Sequence, residues 1–245
     1  MQPPPLDPPV VNALGQPIGR PVPNWQPPPF PTPAPLEGHY TRVEPLNVAT
    51  HAHSLHAANA EDTRGAMWTY LPYGPFESEA HYTAWLAERA RSRDPSFYAV
   101  VDRTTSRALG VLSYLRIDPP NGTIELGHLA YSPLLQQTRM STEALFLLMA
   151  HAFSLGYRRV EWKCDALNAP SRRAAERFGF TYEGTFRQAI VVKGRNRDSA
   201  WYAIIDRDWP GIRAAFEAWL EPANFGPDHR QRVPLSSLTR AAAQG

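Results

Sequence analysis

The fold is decided by residues 123–180, which read TIELGHLAYSPLLQQTRMSTEALFLLMAHAFSLGYRRVEWKCDALNAPSRRAAERFGF. The opening residues, up to Tyr131, favour a β-strand, and the Ser-Pro pair behind them ends it because proline cannot donate a hydrogen bond to a sheet. After Ser141, apolar residues recur at steps of three and four, which predicts an amphipathic helix that stops at Gly156. The stretch therefore begins as a strand followed by a helix.

The second half of the stretch repeats this alternation. Residues 159–165 alternate valine, tryptophan and cysteine with charged residues, which is the period of a strand. Asn168 then starts a short helix and Gly179 ends it. A strand, a helix and a second strand at this spacing predict a βαβ unit whose two strands run parallel.

The turn before Ser141 predicts an anion site. A helix N-terminus has unpaired backbone N–H groups, and its dipole favours negative charge there. Arg139 adds a positive charge beside these groups. A ligand that carries phosphate suits this position.

Three motifs of the stretch resemble the GNAT N-acetyltransferases, in particular the RimJ/RimL-type branch that acetylates protein N-termini and small amines. They are IELGHLAYSP, the QQTRMSTEA turn into the helix, and NAPSRRAAERFGF, which is similar to the family's Asn-x-x-(Ala/Ser)…Gly-Phe signature. The resemblance extends from about Leu36 to Leu220. The family's pyrophosphate turn usually reads (Gln/Arg)-x-x-Gly-x-(Gly/Ala), whereas residues 137–142 of this chain contain no glycine.

The resemblance implies an α+β fold, an α/β three-layer sandwich whose mixed, mostly antiparallel, twisted sheet of about seven strands is flanked by helices. Residues 38–44 and 96–102 are among the predicted strands that precede the βαβ unit, and a hairpin and a terminal helix follow it. We expect a proline-rich arm at 1–36, the acetyltransferase domain at 37–220 and a polar tail at 221–245.

The composition sets further bounds. Of 26 prolines among 245 residues, 14 lie in the first 36, so this arm cannot form a packed core alone. We expect it to extend over the domain or over a partner subunit. The net charge of +2 favours neither nucleic acid nor a membrane, and the longest apolar run, 144–150, is far below the roughly 18 residues of a membrane span. One cysteine, Cys164, fits a reducing compartment, which predicts a cytoplasmic protein.

The resemblance implies acetyl-CoA as co-substrate and no metal. In the family, the strand that ends at Ser132 splays from its neighbour, so that its free backbone groups pair with the pantetheine amides. The cofactor-binding residues implied for this chain are Leu129, Ala130, Tyr131, Gln137, Thr138, Arg139, Met140, Ser141, Thr142, Asn168, Ser171 and Arg173. Asn168 also suits a helix N-cap, and the basic side chains after it also suit a solvated helix face.

The predicted general base is Glu125, because glutamate serves as base at this position in several relatives. By the period of two it shares a strand face with Tyr131, whereas His128, an alternative base, lies on the opposite face. The structural alternative for Glu125 is a carboxylate paired with an arginine. Many relatives carry a tyrosine acid where this chain has Ala175, so Ser171 is the predicted proton donor to the thiolate; its structural alternative is a helix-start serine.

The acceptor is expected at an aromatic loop, residues 67–76, whose counterpart in the family forms a wall of the acceptor pocket. Its substrate-binding candidates are Trp68, Tyr70 and Tyr73, and a surface loop packed by its own rings is the alternative. His53 and His56 lie three residues apart on a helix, but no nearby carboxylate or cysteine in the sequence completes a metal site.

The predicted function is an acetyl-CoA-dependent N-acetyltransferase that moves the acetyl group directly to a primary amine through a ternary complex. The amine belongs to a protein N-terminus, another peptide or a small molecule. Competing with this prediction are a non-catalytic acyl-CoA-binding module and an interaction protein that uses the proline-rich arm. The sequence leaves the oligomeric state open, and a homodimer formed through the terminal segments is one alternative.

Overall fold

The computed structural model describes residues 8–228 and 230–242. The strands are β1 (Val10–Val11), β2 (Pro17–Ile18), β3 (Leu36–Glu37), β4 (Thr41–Pro45), β5 (Ser96–Asp102), β6 (Ala108–Asp118), β7 (Thr123–Tyr131), β8 (Arg159–Asp165), β9 (Thr181–Val192) and β10 (Arg195–Ile205). The helices are α1 (Val48–Asn59), α2 (Glu79–Arg91), α3 (Arg139–Ser154), α4 (Ala169–Arg177), α5 (Trp209–Leu220) and α6 (Leu235–Ala242). None of these helices is long and apolar enough to cross a lipid bilayer.

In the described residues, eight strands form one central sheet in the order β3-β4-β5-β6-β7-β8-β10-β9. Only β7 and β8 run parallel, and the helix α3 connects them. Every other neighbouring pair in the sheet is antiparallel. The predicted βαβ unit and the mixed, mostly antiparallel sheet are therefore confirmed.

The sheet has one strand more than expected because β3, which lies before the predicted strand 38–44, pairs with β4, and residues 38–40 form the bend between them. The carboxylate of Glu143 on α3 fixes this bend. It accepts hydrogen bonds from the backbone N–H groups of His39, Tyr40 and Thr41 at 2.6, 2.7 and 2.8 Å. Glu143 is buried, so these three donors supply the partners that its charge needs.

Helices cover both faces of the sheet, which gives the expected three layers. On one face, α1 and α2 bury Leu55 and Leu86 completely against β5 and β6. On the other face, α3 and α5 bury Leu148 and Phe216 completely. Each such side chain stabilises the fold by about 1.5–3 kcal/mol through removal of apolar area from water.

The segments at both ends pack on this domain. Before β3, the Trp25 indole donates to the carbonyl of Pro120 at 3.2 Å, and the Tyr157 hydroxyl donates to the carbonyl of Pro29 at 3.3 Å. After Leu220, where a polar tail is expected, the structure instead has α6, which packs on α4 and α5 with Leu235 fully buried. An apolar stripe on this short helix accounts for the difference.

Candidate active site

The site begins where β7 and β8 separate, a point we call the fork. The two strands pair from Thr123 opposite Arg159 to Leu126 opposite Trp162. Beyond Leu126, β7 continues to Tyr131 and pairs, among the described strands, only with β6. The other edge of this half-strand has no strand partner, so backbone groups along it can bind a ligand; the carbonyls of Gly127 and Tyr131 also accept hydrogen bonds from the side chains of Ser113 and Gln136. The splay that the family resemblance implied is thus a feature of this chain.

A β-bulge at His128 changes which side chains share a face of β7. Gly127 lies opposite Ser113 and Ala130 lies opposite Val111, so β7 has one residue more than β6 between these pairs. His128 takes up the extra residue with a positive φ of 51°.

Two expectations about β7 are therefore wrong. Because the bulge shifts the alternation by one residue, Glu125 shares its face with Ala130 and not with Tyr131. His128 lies on the side of Glu125, not opposite it: its ring centroid is 5.0 Å from that of Phe97, whose strand position faces the same way. A bulge leaves no signal in the alternation of a strand as short as this one.

The fork opens into a cleft of about 1930 Å³ that contains most of the predicted site. The N-termini of α3 and α4 line one part of it, and the aromatic loop and the β9–β10 hairpin line the other. The predicted residues that line the cleft are Tyr70, Glu125, Leu129, Tyr131, Gln137, Thr138, Arg139, Ser141, Thr142, Asn168, Ser171 and Arg173.

Four predicted residues do not line the cleft. Trp68 is 5% exposed and packs against Tyr73, with ring centroids 6.1 Å apart, and Tyr73 in turn packs on Trp85 at 4.4 Å. The loop thus buries these two rings against α2, as expected of a loop packed by its own rings. The side chains of Ala130 and Met140 pack into the cores on either side of the sheet, so only their backbone groups are open to the ligand role expected of them.

The turn into α3 retains an anion-binding geometry without glycine. Thr138 caps the helix by accepting a hydrogen bond from the backbone N–H of Ser141 at 3.1 Å. Gln137 adopts a positive φ of 59°, a conformation that glycine adopts more readily. Arg139 lies between the rings of Tyr40 and Phe225, 4.5 Å from each centroid, so its charge is held beside the helix N-terminus.

The start of α4 brings a hydroxyl to the fork. Asn168 is the N-cap that the sequence indicates, since its side chain accepts from the backbone N–H of Ser171 at 3.1 Å. The Ser171 hydroxyl oxygen accepts from the indole of Trp162 at 3.0 Å. That bond uses an oxygen lone pair and leaves the hydroxyl proton to be donated, either to a ligand in the cleft or to the neighbouring thiol of Cys164.

A chain of alternating charges crosses the sheet at the fork. Glu125 Oε2 contacts Arg116 Nη1 at 2.5 Å and Lys163 Nζ at 3.0 Å, so this carboxylate has the arginine partner expected of a structural role. Lys163 Nζ also contacts Glu161 Oε2 at 2.7 Å, and Glu161 contacts Arg159 at 2.8 Å. The shortest contacts of Glu125 with both cations are made by Oε2, and within the described residues its Oε1 accepts no hydrogen bond.

Burial and hydrogen bonding set the protonation of two groups near the fork. Desolvation, aided by the positive charges of Arg89 and Arg116, lowers the pKa of His128 to about 4, so its imidazole is neutral at pH 7. Burial alone would raise the pKa of Glu161, but hydrogen bonds from Lys163 and Arg159 outweigh it and hold that pKa below its ordinary value. Glu161 is therefore a fixed negative partner for the lysine.

Sequence reasoning missed the lysine of this charge chain. The Lys163 side chain is 6% exposed, and its ammonium lies 3.6 Å from the ring centroid of Trp201 on β10. The signal was present in the charged residues at every second position of β8, which a strand pattern alone assigns to solvent. Two carboxylates and one aromatic ring around the ammonium make this face a buried polar site instead.

Packing explains the cysteine and the two histidines of α1. Burial raises the pKa of the Cys164 thiol, which disfavours the thiolate that a nucleophile needs. His53 and His56 both contact Glu79 of α2, at 3.0 and 3.8 Å, and so link α1 to α2. In residues 8–228 and 230–242, no group of three or more His, Cys, Asp or Glu side chains is arranged to hold a metal ion.

Known proteins share this architecture. A GCN5-related N-acetyltransferase from Brucella melitensis, a solved structure, is 44% identical and superposes with a TM-score of 0.87, over 89% of this chain and 100% of that chain. The ribosomal-protein-serine acetyltransferase of Escherichia coli (strain K12) is 35% identical over 99 residues, and YdaF of Bacillus subtilis (strain 168), described as a putative ribosomal N-acetyltransferase, is 30% identical over 103 residues.

The coverage differs between these matches. The E. coli and B. subtilis alignments span 40% and 42% of this chain, and the chain spans 55% and 56% of those relatives' lengths. The family model described as the acetyltransferase (GNAT) domain matches residues 42–181, more than half of the chain. This match bears out the resemblance and the expected class, an acyltransferase. The chain belongs to the GNAT acetyltransferase family.

Proposed function

We propose that the protein is an acetyl-CoA-dependent N-acetyltransferase that transfers the acetyl group directly to a primary amine within a ternary complex. The observation that carries this proposal is the fork: the open edge of β7, the N-termini of α3 and α4, and the carboxylate of Glu125 all line one cleft. GNAT acetyltransferases use acetyl-CoA as co-substrate, and the cleft suits its two chemically different ends.

The cofactor would lie across the fork. Its pantetheine amides would pair with the open backbone edge at Leu129, Ala130 and Tyr131, as an added strand does. Its pyrophosphate would lie at the N-terminus of α3, where backbone N–H groups and the helix dipole favour negative charge. Arg173, exposed on α4 at the cleft, is the candidate partner for the 3′-phosphate.

The transfer requires three events that these residues could support. The ammonium of the acceptor loses a proton to Glu125 Oε1, directly or through a water molecule. The amine nitrogen then forms a bond to the acetyl carbon, while a backbone N–H of β7 stabilises the negative charge on the carbonyl oxygen. As the carbon–sulfur bond breaks, the nitrogen releases its second proton to solvent, and the thiolate takes a proton from the Ser171 hydroxyl, which regains one from solvent.

A second candidate is a non-catalytic acyl-CoA-binding module. The pairing of Glu125 Oε2 with two cations favours it, because a carboxylate held for structure has the same contacts. The two candidates differ in the fate of the acetyl group. Both require the cofactor, so binding alone does not separate them.

The test combines calorimetry with a turnover assay. Acetyl-CoA is titrated into the full chain, with dephospho-CoA as the comparison, and CoA release is then measured with small primary amines and with peptides that have free N-termini. We expect acetyl-CoA to bind, dephospho-CoA to bind more weakly, and at least one amine to release CoA. Binding without CoA release from any amine would favour the module, and no binding of either nucleotide would reject both candidates.

A further inference from the structure

The charges along the cleft are unbalanced. Within the described residues, eight lysine and arginine side chains line it, against four aspartate and glutamate side chains. Two of these four carboxylates hold backbone N–H groups: Asp62 accepts from Met67 at 2.7 Å and Asp165 accepts from Leu167 at 2.8 Å. The cleft therefore attracts anions, and its basic side chains outnumber the acidic side chains that could pair with them.

Arg197 on β10 is such a cation. It lines the cleft, its Nε is buried, and its guanidinium has neither a hydrogen bond nor an ion pair with the described residues. Arg42 and Arg89 also have a buried Nε without a hydrogen bond, but each forms an ion pair with a glutamate, at 2.9 Å in both cases. The lack of an acidic partner distinguishes Arg197 from them.

The local structure explains why Arg197 is left without a partner. Side chains alternate along β10, so Arg197, Ser199 and Trp201 face the cleft while Asp198 faces away. The Asp198 carboxylate is used to fix a bulge in the hairpin: it accepts from the backbone N–H of Gln188 at 2.7 Å and from the Asn196 amide at 3.0 Å. The neighbouring carboxylate is thus turned away from the guanidinium.

An unpaired buried donor of this kind is costly. A buried polar group without a partner loses solvation that nothing replaces, and the loss is greater when the group is charged. A guanidinium has five N–H donors in a planar fork that matches the two oxygens of a carboxylate. A carboxylate on a bound ligand would therefore accept hydrogen bonds from the Arg197 guanidinium and so replace the solvation that it loses on folding.

The walls around Arg197 are apolar and fixed in spacing. Phe186 and Ile190, which are 57% and 44% exposed, line the cleft from the hairpin, and Met67 lines it from the aromatic loop. Lys193 at the hairpin tip joins these walls, because its ammonium donates to the carbonyls of Trp68 at 2.8 Å and of Gly74 at 2.9 Å. A flat apolar body fits between the walls better than a polar chain does.

We propose that Arg197 binds a carboxylate of the acceptor, so that the acceptor is a primary amine with a carboxylate on an apolar or aromatic body. This inference rests on the proposed function and narrows its substrate class. Glu125 would take the proton from the amine end, and Arg197, farther along β10 toward the hairpin tip, would hold the acidic end. Two charges of opposite sign would then orient the acceptor.

The first test measures binding without catalysis. Two acetylated acids, N-acetyl-L-phenylalanine and 4-(acetamidomethyl)benzoate, and their neutral amides are titrated into the CoA-loaded full chain. The two pairs differ in the distance between nitrogen and carboxylate. For at least one pair, we expect the acid to bind about tenfold or more tightly than its amide, as a charged hydrogen-bonded pair allows.

Variants then assign this preference to one side chain. Arg197→Ala should abolish the preference and Arg197→Lys should keep part of it. Arg187→Ala should leave it unchanged, because Arg187 is exposed on the same hairpin but does not line the cleft. Equal binding of acid and amide in both pairs, or a preference that survives Arg197→Ala, would overturn the inference.

Turnover with the free amines separates this inference from the proposed function. If the amino amides are acetylated as fast as the corresponding amino acids, the carboxylate site at Arg197 is rejected and the proposed acetyltransferase activity remains. If acids bind through Arg197 but no amine releases CoA, the anion site remains and the acetyltransferase is rejected. We expect the acids to be acetylated with a lower KM than the amides, and this difference to vanish in Arg197→Ala.

Discussion

The two halves of β7 have opposite surroundings, although they form one continuous strand. From Thr123 to Leu126 the strand pairs with β6 on one edge and with β8 on the other, and it buries Glu125 in a chain of ion pairs. From Gly127 to Tyr131 its one strand partner in the described part of the chain is β6. The first half therefore holds charges in place, and the second half has backbone groups to offer to a ligand.

The difference arises at a single point along the strand. Beyond Trp162, β8 no longer pairs with β7 but stays paired with β10 as far as Asp165, and the chain then continues into α4. The bulge at His128 adds local twist on the β7 side, which turns its free half away from the departing strand. A backbone edge for a ligand thus forms where the β7–β8 ladder ends, and the last paired residues carry the charges beside it.

The largest expected effect is on turnover and comes from the paired half. Glu125→Gln should lower kcat by about 10²–10⁴-fold, because an amide cannot accept the proton of the acceptor. Acetyl-CoA affinity should stay unchanged, which calorimetry measures and which also shows that the fold is intact.

The matched control for this variant is Glu183→Gln. Glu183 belongs to the same charge chain, through Arg159 at 2.5 Å, but it does not line the cleft. It should keep the wild-type kcat. An equal loss of kcat in both variants would mean that Glu125 affects turnover only by stabilising the fold, and not as the general base.

The next effect is on stability and tests the fork itself. Lys163→Met should lower the free energy of unfolding by about 3–5 kcal/mol, because it leaves two carboxylates buried without their shared cation. Arg213→Met removes an exposed partner of Glu217, whose side chain is 51% exposed, and should cost only about 0.3–0.5 kcal/mol. Urea unfolding measures both values, and a similar cost for the two variants would contradict a structural role for the buried lysine.

A smaller effect on turnover is expected at the start of α4. Ser171→Ala should lower kcat by roughly tenfold to a hundredfold, since a water molecule must then protonate the thiolate. It should also cost about 1–3 kcal/mol of stability because the Trp162 indole loses its acceptor. Ser171→Thr keeps the hydroxyl, and recovery of kcat in that variant would support the donor role. If Ser171→Ala retains full kcat, the serine only fixes the tryptophan.

The smallest effect concerns the bulge in the free half. An unfolded histidine binds a proton near pH 6.5, whereas His128 binds one near pH 4, so the unfolded state gains protons first as pH falls through this window. His128 therefore lowers stability progressively below about pH 6.5, by at most about 1.4 kcal/mol per pH unit. His128→Asn, which tolerates a positive φ, should lose less stability between pH 7 and pH 5 than the wild type does.

The control histidine for this measurement is His81, whose side chain is 65% exposed. His81→Asn should show the same pH dependence of the urea midpoint as the wild type. If His128→Asn matches the wild type as well, burial of the imidazole does not govern acid sensitivity.

Much of the fold follows from local patterns. The strands β5, β7 and β8 have the bounds that alternation and breakers predict, and the order strand, helix, strand is sufficient to predict the parallel pairing of β7 and β8. The caps are equally local: Thr138 and Asn168 accept the hydrogen bonds that open α3 and α4. These features depend on residues a few positions apart, so the sequence alone contains them.

The candidate site was predictable only in part. The helix N-termini and Ser171 reach one cleft because the βαβ unit brings them there. The strand pattern of β8 predicts that Lys163 is exposed to solvent, and the position of Trp68 in the aromatic loop predicts a ligand contact. Both side chains are buried instead, because exposure depends on residues that are distant in the sequence. The face of Glu125 was misassigned because one bulge inverts the alternation.

The family, the layered fold and the residue types available for acetyl transfer are readable in the sequence, because they follow from local spacing and from motifs. Which oxygen of Glu125 contacts its two cations, how Lys163 is buried at the fork, and why Arg197 has no partner in the described chain depend on the tertiary structure. The physical reason is that charge pairing and burial join β6, β8 and β10 across the sheet, and no local pattern records which distant side chains will meet.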